Sequence, residues 1–250
     1  MLANIRIVLV ETSHTGNIGS AARAMKTMGL SSLYLVAPKS LPDEQATALA
    51  AGASDIVQSA VVVDSFEQAV ADCSLVIGTS ARSRHFTIPM IEPRACGELA
   101  IQTAMQKNNN QVAIVFGRER VGLTNDELLK CGFHLTIPAN PDYSSLNLAM
   151  AVQLVSYEIR MAMLAFEKQI QNGAVTTALA TETIEKPTQQ ELDYFFTQTE
   201  QLYRDLDFIK NNGVMPKLRS LYARAGLHKN ELNILQGMLS AVKNVRCKKV

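Results

Sequence analysis

Four short stretches of this chain set polar or charged side chains among glycines and prolines. The first is Thr15-Gly16-Asn17-Ile18-Gly19-Ser20-Ala21-Ala22-Arg23. Small residues at a strand-to-helix turn leave backbone N–H groups free at a helix N-terminus, which suits an anion. Arg23 follows within reach of a phosphate or hydroxyl near that turn; the alternative is a solvated surface arginine. The second is Phe116-Gly117-Arg118-Glu119-Arg120-Val121-Gly122-Leu123-Thr124-Asn125. Its two glycines permit backbone shapes closed to other residues, and Thr124 opens a helix start. The plain alternative there is a capped turn with a surface ion pair. The third is Ile137-Pro138-Ala139-Asn140-Pro141-Asp142-Tyr143-Ser144-Ser145-Leu146-Asn147-Leu148-Ala149. Two prolines stiffen it, Ser144 or Ser145 is expected to cap the helix that follows, and Asn147 falls in its first turn. A good N-cap and nothing more is the competing reading. The fourth is Thr79-Ser80-Ala81-Arg82-Ser83-Arg84.

Each stretch follows an apolar run, and those runs must be what positions it. Strands are predicted at 5–10, 33–36, 61–63, 75–79, 112–116 and 135–137. Most are continuous Val/Ile/Leu runs, the pattern of strands buried on both faces of a parallel sheet. Helices are predicted at 18–28, 44–51, 66–71, 95–106 and 125–130, with a long one at 145–166. Along the last, Leu146, Met150, Leu154, Tyr157 and Met161 recur at helical spacing and form one apolar face. The alternation predicts an α/β domain over residues 1–168. Ligands of parallel sheets bind beyond the carboxyl ends of strands, so the four loops are expected to converge on one edge. Residues 169–187 are small and polar and read as a linker ending at Pro187. Thr188 and Glu191 then form a capping-box pattern. It opens an all-α extension, 188–250, with helices near 188–205, 215–225 and 231–244.

The chain has 250 residues, 47% apolar and 19% charged, which suits a soluble globular protein and excludes a disordered or collagen-like one. Its net charge of +1 hides an asymmetry. Residues 208–250 carry nine Lys/Arg against one acid, Glu231, so that segment is +8 and residues 1–207 are −7. A basic end of this kind points to a polyanionic partner; a solubilising charged face is the alternative. Cys73, Cys96, Cys131 and Cys247 contain no C-x-x-C pair, and His14, His85, His134 and His228 are equally scattered. Free thiols and no metal site are expected. The apolar run at 5–10 is too short for a signal segment or a membrane span, so a cytoplasmic protein without a membrane partner is expected.

Asn17-x-Gly19-x-x-x-Arg23, the 116–125 stretch and the 137–151 stretch, in that order, resemble the three motifs of the SPOUT methyltransferases, in their SpoU/TrmH branch. The resemblance covers residues 5 to about 160. The Thr79–Arg84 loop and the helical extension resemble the bacterial TrmJ type. That resemblance implies a parallel-sheet domain with a C-terminal trefoil knot and a homodimer with its active site near the subunit interface. It implies S-adenosylmethionine-dependent 2′-O-methylation of the pyrimidine ribose at position 32 of the tRNA anticodon loop. It implies a cofactor held by Thr79, Ser80, Ala81, Gly117, Glu119, Gly122, Ile137, Ser144, Ser145, Leu146 and Asn147. Arg23 resembles the family's catalytic arginine, with Asn17, Glu119, Ser145 and Asn147 around it. Arg23, Arg82, Arg84, Lys217, Arg219 and Arg224 are the residues expected to meet RNA.

The sulfonium already makes the methyl group electrophilic, so the protein must align a 2′-hydroxyl and ease loss of its proton. Alignment is worth up to roughly 7–11 kcal/mol. No histidine or free carboxylate is obviously placed as a base, and a guanidinium is a poor one. Either Arg23 is deprotonated in a special site, or it stays cationic and stabilises the developing alkoxide; the second needs only preorganised charge. Three further functions compete with this one. A Rossmann oxidoreductase would want GxGxxG after the first strand and an acid closing the second, and both are missing. A non-catalytic RNA-binding dimer would keep the fold without the reaction. Methylation of rRNA or of another tRNA position would keep the reaction and change the substrate.

Overall fold

The computed structural model describes residues 1–80, 88–106, 110–172 and 185–247. Seven strands form one sheet: β1 (Ile5–Val10), β2 (Ser32–Val36), β3 (Val61–Val63), β4 (Cys73–Thr79), β5 (Met90–Ile91), β6 (Gln111–Phe116) and β7 (Phe133–Leu135). All pairings are parallel, in the order β3-β2-β1-β6-β4-β7-β5. The period of two explains the continuous apolar runs. In β1, Ile5, Ile7 and Leu9 enter the core on one face while Val8 and Val10 enter the core on the other. Arg6, the one charge in that strand, is 5% exposed. It is tolerated because Asp72 takes it in a two-pronged pair at 2.7 Å, the carbonyl of Ala69 accepts at 3.0 Å, and Tyr34 lies under the guanidinium at 4.4 Å.

Ten helices are described: α1 (Thr15–Thr27), α2 (Glu44–Ala50), α3 (Ser54–Gln58), α4 (Phe66–Val70), α5 (Pro93–Ala104), α6 (Asn125–Leu128), α7 (Leu148–Gln171), α8 (Gln189–Asp205), α9 (Val214–Ala225) and α10 (Lys229–Cys247). α1, α2, α5 and α7 cover one face of the sheet and α4 and α6 the other. Two crossings are close enough to demand glycine. A Cβ on Gly19 of α1 would lie 2.0 Å from the carbonyl oxygen of Ala46 in α2. One on Gly97 of α5 would lie 2.6 Å from that of Glu158 in α7. Cys73, Cys96 and Cys131 are free and buried, and burial pushes the thiols of Cys73 and Cys96 up to about 12.

The structure corrects three expectations. α7 starts at Leu148, capped by Asn147 rather than by Ser144 or Ser145: the Asn147 side-chain oxygen accepts from the Ala149 N–H at 2.9 Å. The core face of α7 is Leu148, Val152, Val155, Ile159 and Met163, whereas Met150, Leu154, Tyr157 and Met161 stay 42–61% exposed. The helix has a second apolar stripe that its own chain does not cover. α7 is long and apolar enough to cross a membrane, but its other face packs on α1 and α5. Finally, part of the basic charge after residue 208 is neutralised by acids that precede it. α8 brings acids to the same helical unit, where Asp193 pairs with Arg219 at 2.9 Å and Glu191 with Lys229 at 3.3 Å. Over residues 188–250, ten Lys/Arg face six acids, a net +4. This unit has its own core of Phe195, Phe196, Ile209, Met215 and Leu232. The Thr188–Glu191 capping box forms as expected.

Gly19→Ala should lower stability by roughly 1–3 kcal/mol, as overpacking does, because backbone rather than a flexible side chain blocks the new methyl. A urea titration would show this as a lower midpoint with an unchanged slope.

Candidate active site

The four strands that precede the chemically loaded loops, β1, β6, β4 and β7, lie side by side in the middle of the sheet. Parallel pairing puts all their carboxyl ends at one edge, and the loops after β1, β6 and β7 meet there with Thr79 and Ser80 of β4; the rest of the Thr79–Arg84 stretch lies outside the described residues. Between them lies a cleft of about 450 Å³. Thr79 and Ser80 come from the end of β4, residues 116–123 from the end of β6, and Ile137, Ser144, Ser145 and Leu146 from the loop after β7. Leu148 and Ala151 of α7 complete the wall.

The 117–122 loop is drawn tight by its glycines. The Gly122 N–H donates to the Arg118 carbonyl at 2.9 Å, with Gly122 at φ +70°, in the left-handed region. A Cβ on Gly117 would lie 2.2 Å from both the Gly122 carbonyl carbon and the Leu123 nitrogen. Arg118 then anchors the loop. Its guanidinium donates to both oxygens of Glu127 at 3.0 Å and to Glu11 at the end of β1, and Lys39 joins Glu11 at 3.0 Å. The Arg118 hydrogen bond, with help from Lys39, holds the Glu11 carboxyl down at about 2. Glu11 is itself in the left-handed region, at φ 45°, a costly place for a side-chain-bearing residue.

Glu119 ties the loops together. Its carboxylate accepts from the Ser13 N–H with both oxygens at 3.1 Å, from the His14 N–H at 3.4 Å, and from the Asn17 amide at 3.0 Å. It therefore sits at the start of α1, where free N–H groups and the helix dipole favour negative charge. Burial works to raise its pKa, but the hydrogen bonds from Asn17, Ser13 and His14 outweigh it, and the net direction is down. Asn17 in turn accepts from the Asn147 amide at 3.1 Å. Glu119, Asn17 and Asn147, 102 and 130 residues apart along the chain, thus form one hydrogen-bonded line.

Residues 4–157 match the SpoU rRNA Methylase family, and residues 190–249 match the C-terminal domain of the tRNA methyltransferase TrmJ. The chain belongs to the TrmJ branch of the SpoU methylase family. It is 64% identical over 244 residues to an uncharacterized tRNA/rRNA methyltransferase of Haemophilus influenzae, covering 97% of this chain and 95% of that one. It is 56% identical over 245 residues to the tRNA (cytidine/uridine-2′-O-)-methyltransferase TrmJ of Photorhabdus laumondii, covering 97% and 98%. The crystal structure of TrmJ from Z. mobilis ZM4 superposes with a TM-score of 0.80 at 32% identity, over 95% of this chain and 98% of that one.

Against the expectations, Thr79, Ser80, Gly117, Glu119, Gly122, Ile137, Ser144, Ser145 and Leu146 all line the cleft of this SpoU-family chain. Asn147 lies beside it as the α7 cap. Arg23 does not line it; it is exposed on α1 without an ion pair or hydrogen bond to any described residue. Ala81, Arg82 and Arg84 lie outside the described residues. Lys217 and Arg224 are exposed on α9, whereas Arg219 is bound to Asp193 and lies over Phe196 at 4.4 Å. Among the described residues, no group of three or more His, Cys, Asp or Glu is placed to hold a metal. The Glu11–Arg118–Glu127 anchor and the Ser13 and His14 N–H groups were not anticipated. The alternating Arg-Glu-Arg between two glycines was the available signal.

Asn147→Ala should cost about 0.5–2 kcal/mol through loss of the α7 cap, measured by chemical unfolding. The depressed Glu11 carboxyl contributes stability that is complete above its ordinary value of 4.5 and lost as pH falls toward 2. Glu11→Gln should therefore flatten the pH dependence of stability across that interval, as followed by thermal melts.

Proposed function

We propose that this chain transfers the methyl group of S-adenosylmethionine to the ribose 2′-oxygen of the pyrimidine, C or U, at position 32 of the tRNA anticodon loop. The observation that carries this reading is the Glu119–Asn17–Asn147 line, which fastens three loops around one cleft. The Photorhabdus laumondii relative, named as a tRNA (cytidine/uridine-2′-O-)-methyltransferase over nearly its whole length, supports the reaction and the base class. A tRNA substrate makes the cytoplasm the compartment.

The cleft fits the cofactor by the chemistry of its lining. Phe116, Leu123, Leu135, Ile137, Leu146 and Leu148 offer apolar walls for a ring, and Ser80, Ser144 and Ser145 offer hydroxyls. Thr79, Ser80, Gly117, Glu119, Gly122, Ile137, Ser144, Ser145, Leu146 and Asn147 are the residues proposed to hold it. When bound, S-adenosylmethionine supplies a methyl group already activated by its sulfonium. The protein's share is to bring the 2′-oxygen in line and stabilise the negative charge that grows on it. Arg23 acts in this reading as a fixed cation that stabilises the developing alkoxide rather than as a base. The ribose proton passes to phosphate or water.

Arg23 is exposed and lies off its own cleft, and α7 carries an uncovered stripe of Met150, Leu154, Tyr157 and Met161. Both features support a homodimer in which that stripe is buried and Arg23 completes the site near the interface. The domain reading is a methyltransferase unit at 1–168, a linker at 169–187 and an RNA-binding unit at 188–250. The trefoil-knotted path belongs to the same reading and comes with the family. On α9, Lys217 and Arg224 are proposed to meet RNA, with Arg219 holding the helix against α8.

Nucleoside mass spectrometry of tRNA from a strain lacking this chain, with site mapping, should show the 2′-O-methylpyrimidine missing at position 32. Its survival there, with a loss from rRNA or another tRNA position, would instead support a different RNA substrate. Arg23→Ala should lower kcat by roughly 10²–10³-fold and leave the calorimetric affinity for S-adenosylmethionine unchanged, as expected for a lost oxyanion donor. Arg23→Lys, which keeps the charge and loses the fork, should recover only part of it.

A further inference from the structure

A second cavity, of about 290 Å³, lies where the helical unit meets the sheet. Its floor is Ser74, Leu75 and Val76, at the amino end of β4. The cofactor cleft lies at the carboxyl end of the same strand, on the order of 15 Å away at the rise of a β-strand. The two cavities share no lining residue.

The walls have two kinds of chemistry. Phe133, Leu75, Leu227 and Tyr222 give flat and apolar surface. Four cations reach the lining, and among the described residues no aspartate or glutamate does. Two of the four already have partners: Lys130 pairs with Glu67, and Arg219 with Asp193. Lys186 and Arg224 pair with nothing among the described residues. Lys186 is half-buried, and burial alone pushes its pKa down. An ammonium withdrawn from water without a counter-charge is costly unless an anion arrives to meet it. Aromatic surface beside unpaired cations is also the arrangement that holds a single base and its phosphate.

Resting on the tRNA reading above, we propose that this cavity docks one nucleotide of the RNA, away from the methylated position. The base would lie against Tyr222 and Phe133, and the phosphate between Lys186 and Arg224. The occupant is a nucleotide of the polymer rather than a free one, because the cavity is walled by the helical unit that carries the chain's excess of positive charge.

The test uses the full chain, unmodified tRNA, anisotropy measured over a salt series, and S-adenosylmethionine calorimetry. Lys186→Met keeps the aliphatic stem and removes the charge. It should weaken tRNA binding roughly tenfold, as loss of a charge-assisted hydrogen bond does. It should also reduce the slope of log K against log salt by about 0.7–0.9. Ala223→Leu narrows the cavity at constant charge and should weaken binding with the slope unchanged. Affinity for S-adenosylmethionine should be untouched in both. Wild-type tRNA affinity and slope in Lys186→Met, together with wild-type affinity in a folded Ala223→Leu, would overturn the proposal. If the wild-type chain methylates position 32 while both variants bind normally, only this inference fails. If the chain binds tRNA through Lys186 but methylates elsewhere, the assignment of position 32 fails and the docking site stands. A wild-type chain that binds no tRNA overturns both.

Discussion

One carboxylate holds the candidate active site together. Glu119 belongs to the loop after β6, yet its oxygens are spent on the N–H groups that open α1 and on the Asn17 amide. A helix N-terminus leaves unsatisfied donors, and a negative charge placed there is stabilised twice, by hydrogen bonds and by the dipole. Asn17 relays the constraint to Asn147, and Asn147 caps α7. A shift of any one loop breaks a bond in another, so the cleft is positioned by mutual constraint rather than by a single rigid wall. Arg118 supplies the matching anchor from the opposite charge, fastening the same loop to the end of β1 and to α6.

Much of this was legible because its causes are local. Helix starts read directly: Thr124 caps α6 and the Thr188–Glu191 capping box opens α8, since each needs only residues three apart. The sheet was legible from its unbroken apolar runs, and the meeting of the loops at one edge followed from parallel pairing alone. The two-residue β5 and the short α3 escaped, because so few residues establish no period. The start of α7 was misplaced because serine and asparagine are about equally good caps, and the contact of Asn147 with Asn17, 130 residues away, shows nowhere in the local sequence. The Arg118–Glu11 pair spans 107 residues and leaves no local trace.

The apolar pattern of α7 and the charge count show a different limit. Periodicity finds a face but not what covers it: the apolar face of Met150, Leu154, Tyr157 and Met161 is surface in this chain, and the core takes the face beside it. Net charge likewise depends on where a segment is cut. The acids of α8 lie within the same helical unit as the bases of α9 and α10, and pairing lowers the charge left for a partner. That Lys186 and Arg224 have no partner among the described residues is more informative than the total.

The close approach at Gly117 has a consequence for how this cleft can diversify. Backbone meets backbone there, so no side chain of any kind fits, and the neighbouring turn leaves Gly122 a left-handed shape. Arg118 and Glu119 are committed to ion pairs and hydrogen bonds. Only Arg120 and Val121, both exposed at the tip of the loop, are free to drift. Sequence variation among descendants of this chain should therefore concentrate on two adjacent side chains at the rim, adjusting what approaches the cleft while its floor stays constant.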